Sequence, residues 1–175
     1  MEDNYKSDYK DTEAVRKYVS RYNIYSLLFA LGIFVIIVSI IPYLLISAPK
    51  VENRILPSII IAIVGLVMAV SSNIARNKLK EKQLTKYTVA AVEFIDLEQK
   101  SSRKNFRKDA IISILLIILV PFIYYLIHTQ AGLIPDNSNK YFNSILILIL
   151  AIAVFIILYS KGKKEAYKNL LYKFT

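Results

Sequence analysis

Four stretches of this 175-residue sequence contain no Asp, Glu, Lys or Arg, and each is about as long as a helix that crosses a lipid bilayer. We call them spans one to four. About 20 apolar residues in a helix cover the ~30 Å of hydrocarbon in a bilayer, where charged side chains are costly. The sequence therefore predicts an all-α, polytopic membrane protein with four transmembrane helices, at about residues 24–46, 55–75, 110–128 and 143–160.

The bases are distributed unevenly between the segments that flank these spans. Of the 23 Lys and Arg, 20 lie in residues 1–23, 76–109 and 161–175, and three lie in the other two loops. Loops rich in Lys and Arg stay on the cytoplasmic side of a membrane. We therefore expect two tandem helical hairpins, residues 24–75 and 110–160, with both termini and the central segment in the cytoplasm.

The N-terminal segment has the pattern of an amphipathic helix. Val15, Tyr18, Val19 and Tyr22 recur at the spacing of one helix face, and Asp11 is a suitable N-cap for that helix. Two interpretations remain open. The segment either lies on the membrane surface or forms the cytoplasmic start of span one.

The central segment, residues 76–109, is interpreted as a basic amphipathic linker. Residues 87–97 are mostly apolar with two interleaved carboxylates, which favours a helix on or near the inner membrane surface. Asp109 is the expected N-cap of span three. The basic tail, residues 161–175, is expected to form another short amphipathic piece.

Span two carries small or polar residues every three or four positions, a spacing that places them on one helix face. Such a stripe lets two helix backbones approach closely, and its asparagine could hydrogen-bond across the contact. We interpret it as a packing surface within the bundle or in a homodimer; the alternative is a transport path lined by small side chains. Its members are Ser58, Ala62, Gly65, Ala69 and Asn73.

Bases near the inner membrane surface favour contact with anionic lipid, at about 1 kcal/mol for each base. The sequence has no helix-turn-helix, phosphate-binding loop or zinc pattern, so we expect the anionic inner leaflet of the bilayer as the partner and no nucleic acid. The candidate lipid contacts are Lys78, Lys80, Lys82, Arg103, Lys104, Arg107 and Lys108.

The residue types needed for most chemistries are missing from the spans. The chain has no Cys and a single His, so cysteine-ligated and multi-histidine metal sites are excluded, and we expect no cofactor. No carboxylate lies within a span, which disfavours proton-coupled transport and intramembrane hydrolysis. His128, at the outer end of span three, is interpreted as an interfacial residue; the alternative is a sensor of external acidity. We expect no enzymatic activity.

The layout resembles a four-span membrane region that is often labelled "permease" in low-GC Gram-positive bacteria and that some relatives carry behind a helix-turn-helix domain. The resemblance covers most of residues 13–172. It rests on residues 13–18 (Glu-Ala-Val-Arg-Lys-Tyr), 40–42 (Ile-Ile-Pro), 77–80 (Asn-Lys-Leu-Lys) and 167–171 (Tyr-Lys-Asn-Leu-Leu). It implies a bacterial membrane protein and supplies no catalytic residues.

Two functions follow as hypotheses. The first is a non-enzymatic sensor, accessory or immunity-type component of the bacterial cytoplasmic membrane, which acts through a membrane-protein partner or as a homodimer. The second is a small transporter or permease subunit with an uncharged path.

Overall fold

The computed structural model describes residues 2–47, 50–81, 88–129 and 138–171, excluding the side chains of residues 2–8 and of His128. Its four long helices are apolar and long enough to cross a membrane, which confirms the predicted all-α, four-span architecture by length and composition. The predicted lipid contact Lys82 lies outside the described residues, as do the start of the predicted N-terminal segment at residue 1 and the end of the predicted tail at residues 172–175. The helices are α1 (Glu2–Val38), α2 (Ile40–Leu45), α3 (Val51–Glu81), α4 (Val89–Thr129) and α5 (Asn139–Leu171).

Span one is divided between α1 and α2, and Pro42 explains the division. A proline has no backbone N–H to donate to the carbonyl four residues earlier, and its ring crowds that carbonyl. For Pro42 the carbonyl concerned belongs to Val38, the last residue of α1. Pro121 also lies in the second half of a span, but α4 continues through it.

The helices pack in the order α3, α1, α5, α4, with each helix antiparallel to its neighbour in this row. Gly32 of α1 meets Gly65 of α3 at their backbones. The rings of Phe34 in α1 and Phe155 in α5 make an edge contact, with centroids 6.2 Å apart. The helices α3 and α4 are therefore the two edges of the row, and their outward faces carry the exposed apolar side chains expected of a protein in lipid.

The helices extend well beyond the spans at one end, which we call the basic end. It comprises the residues of α1 before residue 24, of α3 after 75, of α4 before 110 and of α5 after 160. The opposite end, which includes Ser47, Thr129 and Ser138, we call the loop end. There the ammonium of Lys140 donates to the hydroxyl of Ser47 over 2.9 Å.

Candidate functional site at the basic end

An apolar cluster holds α1, α4 and α5 together at the basic end. The predicted face of α1 is confirmed, since Val15, Tyr18, Val19 and Tyr22 are all buried. This face packs against α4 and α5, and α1 continues directly into span one. The members contributed by α4 and α5 are Ile95, Ala166 and Leu170.

The segment predicted as a helix on the membrane surface belongs to this cluster. The prediction of a helix is confirmed from Val89 onward, but that helix continues without interruption into span three. Ile95 is completely buried, whereas Leu97 is 66% exposed. The amphipathic pattern thus reflects packing against α1 and α5. The tail likewise continues α5 as far as Leu171, and it buries Ala166 and Leu170.

Asp11 does not begin a helix, because α1 already starts at Glu2. Its carboxylate accepts a hydrogen bond from the backbone N–H of Thr88, over 2.9 Å. Thr88 directly precedes α4, where backbone N–H groups lack partners within the helix. Asp11 therefore supplies a bond at the start of a different helix, and its predicted role as the cap of its own helix was wrong.

Asp109 was likewise predicted to begin a helix, and that prediction is also wrong. It lies near the middle of α4, and its carboxylate accepts a hydrogen bond from the hydroxyl of Ser160 over 2.6 Å. Ser160 is buried and ends span four. Because Asp109 directly precedes span three, this bond links α4 to α5 where both helices leave their uncharged stretches.

Two tyrosines outside the spans add polar contacts between helices. The phenol of Tyr22 donates to Glu165 over 3.4 Å, and that of Tyr167 donates to Glu98 over 3.5 Å. Burial, and secondly the neighbouring carboxylate, raise the pKa of both phenols above the ordinary tyrosine value. The phenols therefore stay protonated at neutral pH and remain donors to these carboxylates.

A polar cavity of about 450 Å³ lies between α1, α4 and α5, directly beside the Asp109–Ser160 bond. It contains two bases, two carboxylates, and several amides and hydroxyls. Side chains of all four kinds therefore converge on one concave surface. Its lining residues are Asn23, Glu98, Ser101, Ser102, Asn105, Lys108, Asp109, Ser160, Lys163 and Tyr167.

A second, more apolar cavity of about 380 Å³ adjoins the polar cavity and shares Asn23 and Tyr167 with it. Arg16 lies on its rim, with its guanidinium 5.4 Å from the centre of the Phe94 ring. Of these two neighbouring cavities, only the polar cavity is lined by charged side chains of both signs.

The structure divides the small-residue stripe of span two among several environments. Gly65 and Ala69 are buried against α1, and Ala62 is half-buried. The hydroxyl of Ser58 accepts a hydrogen bond from the backbone N–H of Tyr43, over 3.1 Å. Asn73 is exposed, and its amide oxygen accepts from Arg76 of its own helix, so the hydrogen bond predicted across the helix contact is not made by this pair.

The predicted lipid-contacting bases fall on two different helices. Lys78 and Lys80 lie on α3, and Lys80 has its ammonium 5.8 Å from the centre of the Tyr22 ring. The four bases on α4 lie within two turns of one another, and all four are exposed. They are Arg103, Lys104, Arg107 and Lys108. Because α3 and α4 are opposite edges of the row, these bases form two groups rather than one continuous patch.

Sequence reasoning missed the small residues that bring α1 and α5 together. Gly162 of α5 lies directly against the side chain of Ser26, which is itself buried. The small buried positions of α5 also include Ser144, Ala151 and Ala153. These small residues stand among Ile and Leu in the sequence, which could have predicted a close helix contact. The pattern is less regular than the stripe of span two.

Comparisons of the chain with protein-family models, with curated proteins and with solved structures find no match. The resemblance to the "permease"-labelled membrane region therefore remains a prediction.

Proposed function

We propose that this chain is a non-enzymatic protein of the bacterial cytoplasmic membrane that acts as a sensor, accessory or immunity-type component by contacting another membrane protein or a second copy of itself. In this proposal the spans form two tandem hairpins, with both termini and the basic end in the cytoplasm. Its basic segments contact the anionic lipids of the inner leaflet, and it does not bind nucleic acid.

The observation that carries this proposal is the open row of helices. Each edge helix, α3 or α4, packs mainly on one long neighbour, and each has a long apolar outer face. In a membrane such faces contact either lipid or another helix, and close helix contacts come from packing rather than from apolar burial. Two free edges on a four-span protein favour a component that is completed by a partner.

The packing between the helices supports this function over the rival one, a transporter with an uncharged path. Where α1 meets α3, the backbones of Gly32 and Gly65 are in contact. Where α1 meets α5, Ser26 lies against Gly162. Both contacts are closed by small residues in direct touch, whereas a path for a polar solute needs space lined by hydrogen-bonding groups.

The test is photocrosslinking in intact cells from Leu97, which is exposed at the basic end, with Ile95 as the matched control. Ile95 lies two residues earlier on the same helix and is completely buried. We expect Leu97 to capture a defined membrane protein or a second copy of the chain, and Ile95 to capture only its own chain. A captured protein counts as a partner only if this chain co-purifies with a tagged copy of that protein.

The opposing result combines two findings. Leu97 captures lipid alone, and the purified chain reconstituted in liposomes moves a solute or an ion across the membrane. That combination would overturn the proposal in favour of a small transporter or permease subunit.

A further inference from the structure

We propose that the polar cavity between α1, α4 and α5 binds a phosphate–amine zwitterion, the chemistry of phosphoethanolamine, through its two lysines and its two carboxylates. This inference goes beyond the proposed function, and neither depends on the other. It rests on charge balance and on the position of the cavity beside the spans.

The charges of the cavity favour a ligand that carries both signs. Lys108 and Lys163 contribute two positive charges, and Glu98 and Asp109 contribute two negative charges. A plain anion would meet the two carboxylates, and a plain cation would meet the two lysines. A phosphate beside the lysines and an ammonium beside the carboxylates would give each group an oppositely charged partner, in charge-assisted hydrogen bonds.

The position of the cavity matches the depth of a lipid headgroup. The Asp109–Ser160 bond marks its inner end, where span three begins and span four ends. Lipid phosphates lie just outside the hydrocarbon, within the first few ångströms of the interface. Lys163 is three residues beyond Ser160, about 4.5 Å along a helix, which is the depth of those phosphates.

The same cavity extends away from the spans as far as Glu98 and Tyr167. Asp109 and Glu98 are about 16 Å apart along α4. This distance exceeds the thickness of the headgroup layer, so the far end of the cavity lies in the aqueous phase. A soluble phosphate–amine could therefore enter from the aqueous side. The volume of about 450 Å³ falls within the range of about 300–1,000 Å³ that is usual for small-ligand cavities.

The experiment uses the full chain and two probes. In the first arm, the protein is reconstituted in nanodiscs of equal parts phosphatidylethanolamine and phosphatidylglycerol, and the retained lipids are identified by native mass spectrometry. In the second arm, soluble O-phosphoethanolamine is titrated calorimetrically into the protein in lipid-free detergent. Because the exposed bases attract phosphatidylglycerol in every variant, the readout of the first arm is the phosphatidylethanolamine whose retention depends on the cavity lysines. The wild type should show such retention, bind the soluble zwitterion, or both.

The test variant is Lys108→Gln with Lys163→Gln, which removes both cavity lysines. The matched control is Lys104→Gln with Lys161→Gln, which removes the same charge from the same two helices outside the cavity lining. The test variant should lower zwitterion binding about tenfold or more, and the control should leave it near wild type. A circular dichroism melt checks that each variant is folded.

Glu98→Gln provides a second variant that leaves both lysines in place. Loss of a carboxylate should shift lipid retention towards phosphatidylglycerol, because the cavity then has a net positive charge. Selective phosphatidylethanolamine retention identifies the lipid headgroup as the source, and binding only in the second arm identifies a soluble ligand. An equal effect of the control variant, or no binding that depends on the cavity lysines in either arm, would overturn the proposal.

Discussion

At the scale of the residue, the closest approach between α1 and α3 depends on two glycines. A Cβ atom on Gly65 would lie 2.7 Å from the carbonyl oxygen of Gly32 and 2.9 Å from the backbone nitrogen of Ile36. Because these are backbone atoms, the helices themselves would have to separate. Gly65→Leu should therefore lower the free energy of unfolding by about 1–3 kcal/mol, as overpacking does.

The measurement is an SDS titration of the purified protein in mixed micelles. Val67→Leu is the control, since Val67 is 61% exposed on the same helix and also adds carbon atoms. The control should unfold within about 0.5 kcal/mol of the wild type. Equal destabilisation by both variants would mean that the α1–α3 contact does not depend on close backbone approach.

Gly162 differs from Gly65 because its neighbour is a side chain. A Cβ atom on Gly162 would meet the Cβ and hydroxyl of Ser26. Gly162→Ala should destabilise the protein, and Ser26→Gly in the same chain should relieve the clash because it removes both atoms. We expect a coupling energy of about 1–2 kcal/mol in the double-mutant cycle, measured by the same titration. Strictly additive effects would show that the two residues do not meet.

At the scale of the element, the sequence predicted where the apolar helices lie better than where they begin. A span is recognised from composition alone, and all four were found. The two predicted caps, Asp11 and Asp109, failed for a shared physical reason. A carboxylate before an apolar run can bond to its own helix end or to a neighbouring helix, and only tertiary structure decides between them. Here both carboxylates bond to neighbouring segments.

The continuity of α4 is testable by inserting one alanine after Lys104. An insertion in a continuous helix rotates one side relative to the other by about 100°. Because the chain contains no cysteine, thiol crosslinking can follow two engineered pairs with a short bis-maleimide. The pair at Asp109 and Ser160 should still crosslink, and the pair at Glu98 and Tyr167 should be lost.

The uninserted protein with each cysteine pair is the reference, and both pairs should crosslink in it. If the residues before Asp109 formed a separate surface helix, a flexible joint would absorb the inserted alanine. Retention of the Glu98–Tyr167 crosslink after insertion would therefore contradict a single continuous α4.

At the scale of the whole molecule, the order of helices in the row could not be predicted from the sequence. In a soluble protein the apolar face of a helix points to the core. In a membrane protein the helix face that contacts lipid is apolar as well. The spans therefore carry no polar face to show which neighbour each one meets. Small residues carry part of that information, as Gly65 does, whereas contacts such as Phe34 with Phe155 join side chains that look alike in every span.

The orientation of the row in the membrane is the remaining prediction for the whole molecule, and it follows from the 20 bases outside the two short loops. Cysteines introduced singly at Leu97, at the basic end, and at Ser138, at the loop end, report the two sides; both positions are exposed. In intact cells a membrane-impermeant maleimide should label Ser138→Cys alone, and Leu97→Cys should react only after the membrane is permeabilised. Labelling of Ser138→Cys in permeabilised cells defines the maximum signal. The reverse pattern would place the basic end outside the cell, where an anionic inner leaflet could not attract it, and would remove the basis for a cytoplasmic partner at Leu97.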